Sequence, residues 1–148
     1  MRPRHPERGA ALVELALTVP MLLVVLVGIA DFARVFHYAS GLTDAVRAGA
    51  QRGSQTVIWN AAAAQSAAQA ASPTTQPYSV ATPTRTCGCI DAAGGNYAAA
   101  ACTDSCPTGR HMIAFVTVTA TKTFTATMSV GSFPPPITLT RTATMRAQ

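Results

Sequence analysis

The chain has 148 residues, with 11 basic and 6 acidic side chains, a formal net charge of +5 and a hydrophobic fraction of 49%. Charged residues supply only 11% of it, against roughly 25% in ordinary soluble domains, so it is too apolar for a charge-rich disordered segment. The basic residues are scattered singly, which argues against a nucleic-acid binder, and the length excludes a large catalytic architecture such as a TIM barrel.

The first element is an apolar helix. From Leu15 to Ala30 no side chain is charged, and extension back to Ala10 adds one acid, Glu14. At about 1.5 Å per residue, the stretch 10–30 covers about 31 Å, the thickness of a hydrocarbon core. Arg2, Arg4 and Arg8 precede it, and only Asp31 and Arg34 lie just beyond it. The positive-inside bias therefore predicts a cytoplasmic N-terminus and an exported remainder. A basic start, an apolar core and the small residues Gly28 and Ala30 also describe a signal peptide cut after Ala30. The residues that follow favour an uncleaved anchor. Phe32, Val35, Phe36, Ala39, Leu42 and Val46 fall on one helical stripe, with Arg34, Asp44 and Arg47 off it. The spacing predicts one helix from Ala10 to Arg52, about 65 Å long, whose outer half needs a partner for that stripe. Pro20 lacks a backbone N–H, so it either kinks the span or is a tolerated membrane proline.

Gly53-Ser-Gln-Thr breaks the helix. Val57 to Ala71 is a second helix candidate, with Trp59 near its start and Ser72-Pro73 at its end. Its alanines favour helix but bury little area, so it should lean on something larger. A Pro/Thr/Ser-rich connection runs from Pro73 to Pro83, with a short strand at Tyr78-Ser-Val-Ala. Gly88 to Gly109 reads as a loop held by cysteines. Met112 to Met128 and Ile137 to Met145 read as strands, β-branched and largely alternating, joined through Pro134-Pro-Pro. Their alternating threonines suit a solvated sheet face. The expected class is α+β: a long N-terminal transmembrane and amphipathic helix, then a small antiparallel β domain stapled by disulfides.

Cys87, Cys89, Cys102 and Cys106 all lie on the expected exported side. Four cysteines in a small exported domain read as two disulfides. Three connectivities exist; a Cys87–Cys89 bridge would close a tiny strained ring, so each of that pair should cross to Cys102 or Cys106. A four-thiolate zinc site is the competing reading, disfavoured by an oxidising compartment. No Cys-x-x-Cys, phosphate loop or dinucleotide fingerprint occurs, and no two acids form a convincing acid/base pair. Asp91-Ala-Ala-Gly-Gly-Asn-Tyr has the composition of a turn and too few oxygen ligands for calcium. Neither a catalytic residue nor a cofactor or metal is expected.

A carboxylate inside an apolar span is costly and marks a functional candidate, although a simple helix cap near the membrane surface would also place an acid there. The local string adds weight to the functional reading. Arg8-Gly9-Ala10-Ala11-Leu12-Val13-Glu14-Leu15 resembles the class III signal of type IV pilin-like precursors, in which a basic leader ends in Gly and Glu is the fifth mature residue. With Gly28-Ile-Ala-Asp-Phe-Ala-Arg and Asp44-Ala-Val-Arg-Ala-Gly-Ala-Gln-Arg, residues 8 to 53 resemble the TadE-like family, minor pilins or pseudopilins of the tight-adherence (Flp) pilus system. Asp31 stands where that family often has Glu. Major Flp pilins are much shorter and usually carry Tyr where this chain has Leu15. The resemblance implies a pilin-like fold and cleavage by a prepilin peptidase between Gly9 and Ala10. It also implies a pairing between the new Ala10 amine and Glu14 of a neighbouring subunit. In an apolar layer one such pairing offsets two desolvation costs and sets axial register. The implied partners are the prepilin peptidase, other pilin-like subunits, assembly-platform proteins and the lipid bilayer, with no nucleic acid. The implied location is the bacterial cytoplasmic membrane, single-pass, with the C-terminal domain periplasmic or extracellular. The chain then divides into a leader (1–9), a transmembrane helix (10–30), its exported continuation (31–53) and an exported α+β domain (54–148). The alternative is a membrane-anchored exported binding domain in which Gly9 and Glu14 are incidental.

Overall fold

The computed structural model describes residues 7–56, 58–74, 77–128 and 134–147. Most of the basic leader, with Arg2 and Arg4, and Val57 at the expected start of the second helix lie outside the described residues. Helix α1 runs from Glu7 to Ser54 and is continuous through Pro20. Helix α2 spans Ala61–Ala70. Five strands follow: β1 (Ser79–Val80), β2 (Thr84–Asp91), β3 (Tyr97–Ala100), β4 (Arg110–Phe124) and β5 (Ile137–Ala147). The architecture is α+β, a long apolar helix against an antiparallel sheet with two disulfides.

Strand β4 organises the sheet. One of its edges pairs with the whole of β5, from Ala114 opposite Ala147 to Phe124 opposite Ile137. The other pairs with β2, from Thr84 opposite Thr117 to Asp91 opposite Arg110, and then with β1 at Val80 opposite Ala120. β1 and β2 thus behave as one strand interrupted at Ala81–Pro83. β3 covers the free edge of β2.

Alternation along β4 separates two faces. Ala114, Val116, Val118 and Ala120 are buried against the helices. On the opposite face Thr117 and Thr119 form hydroxyl pairs with Thr144 and Thr142, each at 3.0 Å. These cross-strand contacts fix the hairpin register without charge.

Helix α1 crosses β4 and β5, with α2 on its flank. Its buried face follows Leu42, Ala45, Val46, Gly49 and Ala50 and continues downward through half-buried Tyr38 and Val35. This corrects the stripe expected from sequence: Phe32 and Phe36 stay 73% and 69% exposed. A helix has room for more than one apolar face, and the sheet takes the one aligned with the small residues above. The α1–α2 crossing is tight. A Cβ on Gly49 would lie 2.8 Å from the Ala68 Cβ and 2.9 Å from the Ala64 carbonyl oxygen. Asn60 caps α2 by accepting the Ala63 N–H at 3.0 Å, which sets its start at Ala61, four residues later than Val57. Gln65 ties α2 to the sheet by donating to the Val80 carbonyl at 2.8 Å.

The stretch 88–109 is not one loop. Its first part completes β2, and Tyr97-Ala-Ala-Ala forms β3 against it. Alanines read as helix, but pairing with β2 overrides that propensity. Gly88 makes the pairing possible: a Cβ there would collide with the Tyr97 ring, which lies across it and donates its hydroxyl to the Cys87 carbonyl at 3.2 Å.

Candidate functional site

Gly9, Ala10 and Glu14 all fall within the first turns of α1. A Cβ added at Gly9 would meet nothing within 4 Å, so the fold of this chain gives no packing reason for glycine there. Glycine inside a helix costs about 1 kcal/mol relative to alanine. Past Glu14 the helix is apolar on every side. Leu17, Met21, Leu22 and Val25 are more than half exposed. The most apolar window has a mean hydropathy of 2.5 and none of it is buried. By length and composition this helix can cross a membrane, and its exposure sets it apart from the buried core helix of a soluble protein. Glu14 and Asp31 bracket the uncharged stretch. Seventeen residues of helix separate them by about 26 Å, close to the hydrocarbon thickness.

Asp31 is the first acid after that stretch, and it closes a long-range contact. Its carboxylate accepts the Thr127 backbone N–H at 2.9 Å and the Thr127 hydroxyl at 2.6 Å. The guanidinium of Arg34, one turn further along α1, donates to the same carboxylate at 2.9 Å and lies 5.2 Å from the centre of the Phe124 ring. Together they latch the end of β4 to the helix at the foot of the sheet. The two Thr127 hydrogen bonds, the hydroxyl one foremost, hold the Asp31 carboxyl below its ordinary pKa against the opposing effect of burial, and Arg34 adds a lesser contribution. Sequence reasoning missed this contact. Asp31 was visible as the charge that ends the apolar run, but nothing marks Thr127 among its neighbouring threonines.

At the other end of β2, Cys87 bonds to Cys102 and Cys89 to Cys106. Both partners of the Cys-x-Cys pair point to the same, buried side, as alternation in a strand requires. The crossing connectivity agrees with the expectation that neither would bond to the other. Beside them Asp91 accepts from the Gly95 N–H and the Asn96 side chain, each at 2.8 Å. These bonds, the Gly95 one foremost, hold its carboxyl below the usual range. They shape the β2–β3 turn and occupy the oxygens that a cation would need. Among the described residues no group of three or more His, Cys, Asp and Glu is placed to hold a metal.

Residues 9–51 match the family model of TadE-like proteins. The match begins at Gly9 and ends three residues before the end of α1. It thus takes in Glu14, the apolar run, Asp31 and the face that packs on the sheet. The sheet, α2 and both disulfides lie outside the TadE-like match. No curated protein and no solved structure matches the chain.

Proposed function

We propose that this protein is a minor pilin-like assembly subunit of a tight-adherence pilus, cut after Gly9 by a prepilin peptidase. In this reading α1 spans the cytoplasmic membrane once, with Gly9 on the cytoplasmic side and the sheet outside. The observation that carries it is Gly9 itself. The fold has no use for a glycine there, yet it precedes Glu14 by five residues at the entrance to an unburied apolar helix. A peptidase that must approach the backbone closely supplies the missing reason. Cleavage would leave the Ala10 amine one helical turn from Glu14, positioned to pair with the Glu14 of a neighbouring subunit. The platform proteins and other pilin-like subunits are the remaining partners of this reading.

Two variants test it. On co-expression with a prepilin peptidase, mass spectrometry and N-terminal sequencing should show a product beginning at Ala10, and Gly9→Leu should remain uncut. A product beginning at Asp31 would establish signal-peptide cleavage instead. Glu14→Gln should be cut and inserted normally, because the span becomes less polar. It should nevertheless fail to assemble, since removing one member of a buried pair costs about 3–5 kcal/mol. Normal piliation with only the Glu14→Gln protein would leave Glu14 as a cap.

A further inference from the structure

The latch at Asp31 fixes where the lower end of the sheet stands relative to the apolar helix. Thr127 is hydrogen-bonded to the residue that follows the uncharged run, so Met128 emerges at the end of that run. Ile137, opposite Phe124 in the β4–β5 register, sits at the level of Arg34, whose guanidinium contacts the Phe124 ring. Three residues of helix separate Arg34 from Asp31, a rise of about 4.5 Å. The headgroup layer on each side of a bilayer is roughly 5–8 Å thick. A sheet end held at this height cannot stand clear of the headgroups if α1 spans the membrane.

Its chemistry suits that position. No charged side chain occurs from Thr123 to Thr140. Met128 and Ile137 are each 54% exposed, and Pro134 is exposed beside them. On the helix, Phe32 and Phe36 expose their rings just above the span and off the face that the sheet covers. In water these exposed apolar side chains would be poorly solvated; at the boundary of headgroups and acyl chains they are solvated correctly.

We infer that the β4–β5 end of the sheet is a membrane foot: Met128, Ile137, Phe32 and Phe36 rest in the headgroup layer of the bilayer that α1 crosses, and the Asp31–Thr127 latch holds them there. The partner is a phospholipid surface. The inference rests on α1 being a membrane span but not on cleavage at Gly9 or on assembly. It gives the latch a role beyond packing, because the latch converts a single helical tether into a two-point attachment that fixes the tilt of the sheet against the membrane.

Tryptophan quenching in the full-length protein tests it. The chain contains a single tryptophan, Trp59, beside Gly53 at the far end of α1. In phosphatidylcholine nanodiscs whose acyl chains are brominated near the carbonyl, wild-type Trp59 should be unquenched. In a Trp59→Phe background, Val25→Trp should be strongly quenched, reporting insertion of the span. Ile137→Trp and Met128→Trp should each lose at least a third of their emission. Adding Asp31→Ala should return both toward the unquenched level while Val25→Trp stays quenched. If Ile137→Trp and Met128→Trp are no more quenched than Trp59 while Val25→Trp is quenched, the foot does not exist and the span stands. An unquenched Val25→Trp would overturn the span and the foot together. A near-ultraviolet circular dichroism spectrum that matches the Trp59→Phe parent confirms that each variant has folded.

Discussion

Asp31 shows how one side chain can carry information between distant parts of a chain. The contact it makes with Thr127 joins residues 96 apart in sequence. The Asp31 carboxyl titrates below its ordinary value of 3.8, whereas in the unfolded chain it should sit near that value. A group with a depressed folded pKa contributes stability that is full above the unfolded value and is lost as pH falls through the folded one. The latch should therefore be insensitive to pH from neutrality down to about 4 and weaken below it. Carbon-13 titration of the Asp31 carboxyl in detergent micelles should place its midpoint below 3.8, with loss of Thr127 amide protection following the same curve. A midpoint at or above the ordinary value would show that the two threonine hydrogen bonds do not form. Asp31→Asn keeps an acceptor but no charge, so its Thr127 amide protection should be lower at pH 7 and flat across the acid range.

The elements hold together through small residues on the helices and β-branched residues on β4. Gly49 lies where α1, α2 and Val118 converge, with backbone on one side. Gly49→Val should destabilise the fold by at least the 1–3 kcal/mol typical of overpacking, because the Ala64 carbonyl cannot move aside without shifting α2. Thermal melts of the full chain in detergent, followed by near-ultraviolet circular dichroism, would register this as a lowered midpoint, and an unchanged midpoint would mean that the helices do not cross here. The two disulfides span 15 and 17 residues, and loss of a link of that size costs about 3 kcal/mol in the chain-entropy account. Cys87→Ser and Cys89→Ser should each lower the midpoint and reduce abundance, while non-reducing peptide mapping of the parent shows the 87–102 and 89–106 links. Periodicity made most of these elements legible. The long helix, the alternation of β4 and β5 and the helix after Asn60 were visible because each has a run long enough to show its period. β3 was not, since four residues of Tyr and Ala carry no strand signal without β2 beside them. Likewise, the sequence offered Phe32 and Leu42 as members of one stripe. Only the sheet's preference for the Gly49 face separates them. Gly9 and Glu14 draw attention by their spacing and carry the proposed processing site, whereas the Asp31 latch is visible only in three dimensions.

At the scale of the whole molecule, one helix serves two surroundings: its first half is apolar and exposed, and its second half packs on the sheet. The TadE-like segment covers the helix and the surface by which the helix grips the sheet, while the sheet itself lies outside that match. Strand order adds a consequence for biogenesis. A ribosome makes the chain from its N-terminus, so β2, β3 and all four cysteines, ending at Cys106, exist before any of β4, which begins at Arg110. Both links close within 84–106, a unit whose strands already pair with each other. Neither link needs β4 or β5 as a partner, so the covalent step of maturation is separable from the docking of the sheet onto Asp31. A cell short of oxidant would therefore leave this hairpin open, while α1, the latch and the β4–β5 pairing contain no cysteine to be affected.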